Sequence, residues 1–243
     1  MVARPTGSDE LDLSVVVPAY NEEARLGPSV RRIIDYCEAE RPDYELLVVD
    51  DGSGDRTVAV AREAAAGADR VRMIEQGTNR GKGAAVRAGM LAARGRYRIF
   101  SDADLATPIE ELAKLQAAVD AGADVAIASR GLADSDIRTR QHPLRELMGR
   151  TFNLIVRMSL MGGIKDTQCG FKLFTAEAAE ELFGRARVDG FAFDVELLYL
   201  ARDRFRVAEV PVVWRHVDES KVSPGVDAAR MFLDVLKIRL GRY

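Results

Sequence analysis

The chain has 243 residues, of which 47% are apolar and 30% are charged, proportions typical of a soluble globular protein. The formal net charge of −3 argues against a general nucleic-acid binder. The two cysteines, Cys37 and Cys169, lie far apart and form no disulfide framework, which suits a reducing compartment. We find no apolar stretch of a signal peptide at the N-terminus and no run of about 18 apolar residues, so we predict no membrane span.

Short apolar runs rich in β-branched residues predict five buried strands in the first 130 residues. Pro18 stops the first run, and the second leads into a polar loop that contains glycine. The five segments are LDLSVVVPAY (11–20), YELLVVD (44–50), VRMIEQ (71–76), RYRIFSDAD (96–104) and DVAIASR (124–130).

Helices are predicted between these strands. Pro28 suits the first turn of a helix that runs to about residue 40, and Asp55 can cap a helix over residues 56–66. Residues 79–95 contain a loop and then an Ala-rich helix that ends in glycine.

The segment TPIE (107–110) has the pattern of a capping box with proline at the first helical position, which predicts a fourth helix start. Strand and helix therefore alternate five times. Such alternation predicts an α/β fold with a mostly parallel central sheet and helices on both faces.

An Asp-X-Asp pattern occurs twice, at residues 102–104 and 134–136. Ligands of parallel sheets bind beyond the carboxyl ends of the strands. Asp102 and Asp104 lie there, at the end of the fourth predicted strand, and Asp50 and Asp51 end the second. The pair at 134–136 follows no strand directly, so we interpret it as a solvated loop.

The glycine-rich segment GTNRGKG (77–83) does not fit the known phosphate motifs. It has neither the spacing nor the hydroxyl of a Gly-x4-Gly-Lys-Ser/Thr loop, and Val86 occupies the third glycine position of a dinucleotide fingerprint. Its glycines still make a flexible turn at a helix start, where an anion is favoured. The alternative is an ordinary turn with a solvated Lys82.

Seven motifs occur in an order that resembles the family 2, GT-A type glycosyltransferases, and those of the second half are similar to dolichyl-phosphate β-glucosyltransferases. Dolichyl-phosphate mannose synthases are near relatives. The motifs are VVVPAYNEEARL (15–26), VVDDGSGDRT (48–57), NRGKGAAVRAGM (79–90), SDADLATP (101–108), DTQCGFKLF (166–174), FAFDVELLYLA (191–201) and EVPVVWRHVDESKVSP (209–224).

This resemblance implies a single GT-A, Rossmann-like domain over residues 12–243, preceded by a flexible tail of residues 1–11. Residues 12–130 would form the half that binds the nucleotide sugar. Residues 131–243 would form the acceptor half, with amphipathic helices.

The resemblance also implies a Mg²⁺ or Mn²⁺ ion that bridges the donor phosphates. Asp102 and Asp104 would be its ligands, with Asp104 the stronger candidate, and alternate residues of an extended segment can both face the ion. By resemblance, Gln168 would supply a further oxygen; on spacing alone it is a loop residue.

The nucleotide-sugar contacts implied by the resemblance cluster at three strand ends. Asp51 would read the base edge, although an Asx turn before Gly52 is the plainer interpretation. Lys82 would lie beside the diphosphate. The full set is Pro18, Tyr20, Asn21, Glu22, Asp51, Lys82, Asp102 and Ala103.

Arg130 could hold the acceptor or the donor phosphate, since guanidinium groups suit phosphate, or would be a surface arginine. Asp166 is the candidate general base if one is used, and it joins Asp104 and Arg130 in the expected catalytic set. Trp214 could line the sugar or acceptor site or could belong to the core. Asp194 and Glu196 are interpreted as structural.

The implied reaction is inverting transfer of glucose from UDP-glucose to a polyprenyl (dolichyl-type) phosphate, by direct displacement. The acceptor phosphate is already anionic near neutral pH, so a strong base is not required. The alternatives are a GDP-mannose-dependent mannosyltransferase, a family 2 enzyme with a soluble acceptor, and a catalytically silent nucleotide-sugar-binding protein.

The stretch from Arg138 to Lys172 contains seven basic residues against two acids and is strongly apolar. Such a basic, apolar helix, over residues 138–164, predicts peripheral contact with an anionic membrane, on the cytoplasmic face, although a buried helix or a homodimer interface would have the same pattern. The C-terminal segment 225–243 is also amphipathic and could pack on the core or rest on a membrane.

Overall fold

The computed structural model describes residues 11–137, 163–215 and 226–241, and within these ranges lie nine strands and seven helices. The strands are β1 (Leu13–Ala19), β2 (Tyr44–Asp50), β3 (Val71–Glu75), β4 (Tyr97–Ser101), β5 (Val125–Ser129), β6 (Asp136–Ile137), β7 (Phe171–Thr175), β8 (Val207–Pro211) and β9 (Val213–Trp214). The helices are α1 (Leu26–Glu40), α2 (Thr57–Ala64), α3 (Lys82–Ala92), α4 (Leu112–Asp120), α5 (Ala176–Arg185), α6 (Phe193–Ala201) and α7 (Val226–Leu240).

The five predicted strands are confirmed as β1 to β5, and a helix follows each of the first four. One strand end differs in a way that matters for the site. β4 ends at Ser101, so Asp102 and Asp104 lie in the turn after the strand and not in an extended segment. The expected route by which both carboxylates would share a face, strand alternation, is therefore wrong.

The predicted capping box at residues 107–110 is not formed. A short 3₁₀ turn, Ile109–Glu111, precedes α4, and it has no side-chain cap. The Thr107 hydroxyl lies 3.6 Å from the sulfur of Cys169 and is buried. A buried tertiary contact has taken the hydroxyl that the local pattern assigned to the helix start.

The main sheet has seven strands in the order β3-β2-β1-β4-β7-β5-β8, and all neighbouring strands are parallel except those that pair with β7. The predicted mostly parallel sheet is thus confirmed. β7 runs antiparallel between β4 and β5, with Phe171 opposite Ser101. This pairing brings the loop before β7 to the carboxyl end of β4, where the turn that contains Asp102 begins.

Helices cover both faces of the sheet, which explains why its strands are continuously apolar. Along β1, Val15 and Val17 pack towards α1, α2 and α4, whereas Val16 packs towards α3, α5 and α6. Successive side chains of a strand point to opposite faces, so both hydrophobic layers draw on the same short runs of residues.

The C-terminal helix α7 packs on the second of these layers. Val235 and Ile238 are buried against it. The outward face carries large apolar side chains, all of them exposed: Phe232, Leu233, Leu236 and Leu240. No helix of the described ranges combines the length and the apolar character that crossing a bilayer requires.

Most of the predicted basic helix (138–164) and residues 1–10 of the predicted tail lie outside the described residues. Three residues counted with the basic stretch are described: Lys165 is exposed, whereas Asp166 and Lys172 are buried, and Lys172 corrects the count. Lys172 lies in β7 with its side chain fully buried, so its charge belongs to the interior and adds nothing to a membrane-facing surface.

Candidate active site

The predicted site residues meet where the carboxyl ends of β1, β2, β4 and β5 face the loop before β7. Among the described residues, positive φ angles outside glycine occur at two positions, Asn21 (φ 52°) and Leu105 (φ 48°), in the loops after β1 and β4. Side chains rarely adopt this conformation, and strained backbone of this kind concentrates at functional sites. Asn21 belongs to the predicted site, and Leu105 directly follows Asp104 of that site.

The turn after β4 is held in place by hydrogen bonds on both sides. The Asp102 amide donates to the Gly170 carbonyl (3.0 Å), and the Leu105 amide donates to the Asp102 carbonyl (3.1 Å). A Cβ atom built on Gly170 would overlap the Asp102 carboxyl group. Only glycine at 170 therefore leaves this carboxylate in its observed place.

Asp102 and Asp104 place two negative charges close together in the turn. Burial raises the pKa of Asp104, and the neighbouring charge of Asp102 raises it further. Asp104 also accepts a hydrogen bond from the Ala106 amide (3.0 Å), and Ala103 between the pair is buried. Two carboxylates that repel each other in a partly dry site are stabilised by a cation between them.

The oxygen donors present fit Mg²⁺ or Mn²⁺, which prefer hard oxygen ligands. Within the described ranges no group of three His, Cys, Asp or Glu side chains could hold a metal, so a purely carboxylate set is not available there. A third protein oxygen would have to come from another residue type. Gln168 is half-buried two residues before Gly170, and its backbone amide donates to Oδ1 of Asp166 (3.2 Å).

Asp51 holds the loop that starts α3. Its two carboxylate oxygens accept from the amides of Arg80 and Gly81, each at 2.8 Å. The Asx turn considered for Asp51 is made instead by Asp50, which accepts from the amides of Gly52 and Ser53. Asp51 thus fixes the backbone next to Lys82.

The loop after β1, which follows Pro18, lines an open cavity of about 410 Å³ formed by residues 21–25, 54 and 55. Tyr20 beside it is exposed. The Asn21 side chain accepts from the Gly54 amide (2.8 Å), and Arg25 binds the Glu22 carboxylate through two nitrogens, each at 2.8 Å. The charge of Arg25, which lines the cavity, also acts on Asp104 and works to lower its pKa.

Lys82, the first residue of α3, reaches the carboxylate pair. Its Nζ lies 2.6 Å from Oδ1 of Asp102. Burial works to lower the pKa of this ammonium group, but Asp102 and then Asp194 more than offset it, and the net pKa is raised. The alternative of a solvated lysine in an ordinary turn does not describe this side chain, which is 25% exposed.

Arg130, after β5, pairs with the buried carboxylate of Asp166, in the loop before β7. Nε and Nη2 of Arg130 donate to the two oxygens of Asp166 at 2.7 and 2.9 Å, and the Arg130 amide donates as well (2.9 Å). The guanidinium carbon lies 5.5 Å from the ring centroid of Trp214, which is buried. Arg130 retains 30% side-chain exposure, so an anion can still reach it.

A protein-family model matches most of this chain. The model described as glycosyl transferase family 2 matches residues 14–183, more than half of the chain. The chain belongs to glycosyl transferase family 2. This confirms the predicted family and the predicted class of enzyme, a glycosyltransferase.

Curated relatives of this family 2 enzyme carry a more specific name. This chain is 42% identical over 245 residues to the dolichyl-phosphate β-glucosyltransferase of Drosophila melanogaster, and the match covers 95% of this chain and 75% of that protein. The human protein of the same name is 39% identical over 242 residues (94% and 75%). That of Saccharomyces cerevisiae is 35% identical over 251 residues (96% and 75%).

Among solved structures, glucosyl-3-phosphoglycerate synthase from Mycobacterium tuberculosis, in complex with Mn²⁺, UDP and glucosyl-3-phosphoglycerate, superposes on the family 2 enzyme with a TM-score of 0.72. The two chains are 22% identical, and the match covers 99% of this chain and 87% of that one. An identity this low supports the fold alone, and the predicted GT-A fold is confirmed.

Sequence reasoning missed how the interior of the family 2 enzyme is charged. Lys172 donates to the Cys169 carbonyl (2.6 Å) and is bound by Asp194, whose carboxyl is also buried. The signal was present in the motifs DTQCGFKLF and FAFDVELL, but the two partners are 22 residues apart in sequence. Glu196, interpreted as structural, accepts from the backbone amides of residues 187 and 188.

The Arg130–Asp166 pair gives a pH-dependent prediction. Burial works to raise the pKa of Asp166, but the charge and hydrogen bonds of Arg130 outweigh it and hold the pKa at about 2. The usual value is about 3.9, so the ionised carboxylate stabilises the folded state by about 2 kcal/mol at neutral pH. A depressed pKa gives stability that is present above about pH 4 and lost as the pH falls to about 2.

We therefore expect the free energy of unfolding of Asp166→Asn to fall below that of the wild type at pH 7, with the gap narrowing between about pH 4 and 2. Urea unfolding at pH 7, 5, 4 and 2.5 measures the gap. Asp134→Asn, an exposed aspartate in the loop after β5, is the control. A gap that is constant over this pH range would contradict the assignment.

Proposed function

We propose that this family 2 enzyme transfers glucose from UDP-glucose to a polyprenyl (dolichyl-type) phosphate with the help of Mg²⁺ or Mn²⁺. The observation that carries the proposal is the carboxylate pair Asp102 and Asp104 in a fixed turn after β4, with the Lys82 ammonium 2.6 Å from Asp102. The names of the curated relatives, dolichyl-phosphate β-glucosyltransferases, support this choice of sugar and acceptor.

On the donor side, Asp102, Asp104 and the side-chain oxygen of Gln168 would hold the metal ion. When bound, the ion supplies positive charge that stabilises the departing diphosphate. Lys82 adds a second positive charge at the N-terminus of α3, where the helix dipole also favours an anion. The cavity beside residues 21–25 would receive the nucleoside, with Asp51 fixing the intervening loop.

On the acceptor side, Arg130 would orient the phosphate of the lipid. One oxygen of this phosphate attacks the anomeric carbon of the sugar. The bond from that carbon to the diphosphate oxygen breaks, and its electron pair leaves with UDP. Attack from the opposite face inverts the configuration and gives a β-linked product. The rate gain would come mainly from placement and from electrostatic stabilisation.

Asp166 is poorly suited to act as a general base. Its pKa of about 2 and its two-fold contact with Arg130 leave it little affinity for a proton at neutral pH. We assign it instead a positioning role, in which it fixes the guanidinium plane. The anionic acceptor phosphate needs no strong base, so the reaction does not require Asp166 to take a proton.

The function is tested with the full chain, Mn²⁺ and dolichyl phosphate in mixed micelles. UDP-glucose should give a glucosylated lipid by mass spectrometry, EDTA should abolish turnover, and Mn²⁺ or Mg²⁺ should restore it. A preference for GDP-mannose would contradict the assignment of UDP-glucose as the donor. Equal transfer to a soluble acceptor such as 3-phosphoglycerate would contradict the assignment of a lipid acceptor. Full turnover in EDTA would contradict the proposed need for a metal ion.

We also propose that the exposed apolar face of α7 rests on an anionic lipid surface. Four large apolar side chains lie outward on this helix, and three exposed basic residues flank them: Arg230, Lys237 and Arg239. Basic residues attract an anionic leaflet, and the apolar side chains then gain by burial in it. The two buried free cysteines suit a reducing compartment, which supports the cytoplasmic face.

We expect Phe232→Glu with Leu236→Glu to reduce co-sedimentation with vesicles that contain phosphatidylserine by about tenfold or more. Each change removes an apolar side chain that would be buried in the lipid and adds a negative charge that the anionic lipid repels. Folding should not suffer, since both side chains point outward. The matched control is Leu91→Glu, an exposed leucine on α3. Equal loss in both proteins, or wild-type protein that ignores these vesicles at low salt, would contradict the proposal.

A further inference from the structure

A line of alternating charges leads from the candidate metal site into the interior. The Lys82 ammonium lies 2.6 Å from Asp102 and 5.9 Å from the ring centroid of Phe193, the residue before Asp194. The charges of Asp194 and Asp104 also act on it. Asp194 in turn binds Lys172, whose side chain is fully buried. Three carboxylates thus lie around two ammonium groups, and the charge of Arg25 also acts on Asp104.

The backbone of Lys82 is fixed, so only its side chain can move. The Gly81 amide is bound by Asp51 (2.8 Å), and the Ala84 amide donates to the Asp189 carbonyl (3.2 Å). A Cβ atom on Gly83 would overlap the carbonyl oxygen of Val188. The start of α3 is therefore packed tightly against residues 188–193, which precede and begin α6 and lead directly to Asp194.

The carboxylate that Lys82 occupies is one that the proposed function assigns to the metal, and the inference rests on that assignment. We propose that Lys82 is a resident counter-ion of Asp102 that must withdraw before a divalent cation can bind, and that Asp194 is the positioning residue that holds its ammonium afterwards. Lys82 and the cation thus compete for one carboxylate.

Elementary electrostatics requires this competition. A hard cation approaches a carboxylate oxygen to about 2.0–2.2 Å, so it would lie within a few ångströms of an ammonium bound to the same group. Like charges at that separation repel strongly where water is partly excluded. A donor diphosphate attracts the ammonium, so it would draw Lys82 away from Asp102 and favour metal binding. Because coupling is reciprocal, metal and nucleotide would each tighten the other's binding.

The test is direct Mn²⁺ binding, read from the electron paramagnetic resonance signal of free Mn²⁺, with and without UDP. In the nucleotide-free protein we expect Lys82→Met to bind Mn²⁺ about tenfold more tightly than the wild type, because the competing charge is gone. The gain in Mn²⁺ affinity on adding UDP should be smaller in the variant. Lys114→Met, which removes a lysine that pairs with Glu111, is the control and should leave both values unchanged.

The role of Asp194 is tested with its partner removed as well, because Asp194→Asn alone would leave Lys172 buried without a counter-charge. The double variant Asp194→Asn with Lys172→Met should bind Mn²⁺ about fivefold more weakly without nucleotide, since Lys82 then has no alternative anchor. Adding Lys82→Met to it should abolish this loss. If the loss of Mn²⁺ affinity persists in this triple variant, Asp194 acts on the metal only through its charge, and its role in positioning Lys82 is overturned.

The remaining outcomes separate the two proposals. If wild-type protein binds Mn²⁺ in the presence of UDP but Lys82→Met binds it no more tightly without UDP, the competition is refuted and the proposed function stands. If wild-type protein binds no Mn²⁺ even with UDP, the metal assignment of the proposed function fails, and the competition fails with it.

Discussion

Replacing Asp104 by asparagine should lower the turnover of glucose transfer by two to three orders of magnitude, roughly the loss seen when a group that stabilises transition-state charge is removed. The variant keeps the shape of the side chain but removes a charge from the proposed metal site. Turnover of UDP-glucose at saturating Mn²⁺ is the measurement.

The same variant should be at least as stable as the wild type. Burial and the charge of Asp102 raise the pKa of Asp104, which means that the folded state disfavours the ionised carboxyl at this position. Urea unfolding at pH 7 distinguishes lost chemistry from lost folding. Asp134→Asn, in the exposed Asp-X-Asp segment, is the control and should keep full turnover. An active Asp104→Asn enzyme would remove Asp104 from the metal site.

Gly170→Ala should cost about 100-fold in turnover while the fold survives, because a misplacement of about 1 Å in a catalytic group can have this effect. The added methyl group would overlap the Asp102 carboxyl, which must then rotate away from both Lys82 and the metal position. The expected signature is weaker Mn²⁺ binding together with the lower turnover, both measured at 25 °C.

Gly184→Ala is the matched control for this change. A Cβ atom at Gly184 has nothing within 4 Å, and the residue lies in α5, where alanine favours the helix by about 0.5–1 kcal/mol. The control should therefore be slightly more stable and fully active. If Gly170→Ala behaves in the same way, the close approach of residue 170 to Asp102 has no functional weight.

The local patterns of the sequence predicted much of the fold, since each of β1 to β5 coincides with a short apolar run between turn signals. Their order placed Asp102 and Asp51 at strand ends, where the structure has them. What local patterns could not provide was β7. Its five residues join the sheet by antiparallel pairing with β4, about 75 positions earlier in the chain, and no periodicity reports such a partner.

The polar interior escaped prediction for the same reason. Lys172 was counted with a basic surface, but its partner Asp194 lies on a different element, and only the fold brings the two together. Likewise, the hydroxyl of Thr107 had a local use as a helix cap and a tertiary use beside Cys169, and the tertiary contact prevailed. The pattern of residue types shows which groups are available, and the packing decides where they are used.

The central place of β7 also has a consequence for how the protein is made. Synthesis delivers β4 and β5 long before β7, yet β7 must lie between them. Until residues 171–175 have left the ribosome, the growing chain has two strand edges without their final partner, and such edges promote aggregation. We therefore expect that the half that would bind the nucleotide sugar does not fold on its own, and that chains truncated before residue 171 accumulate as insoluble protein.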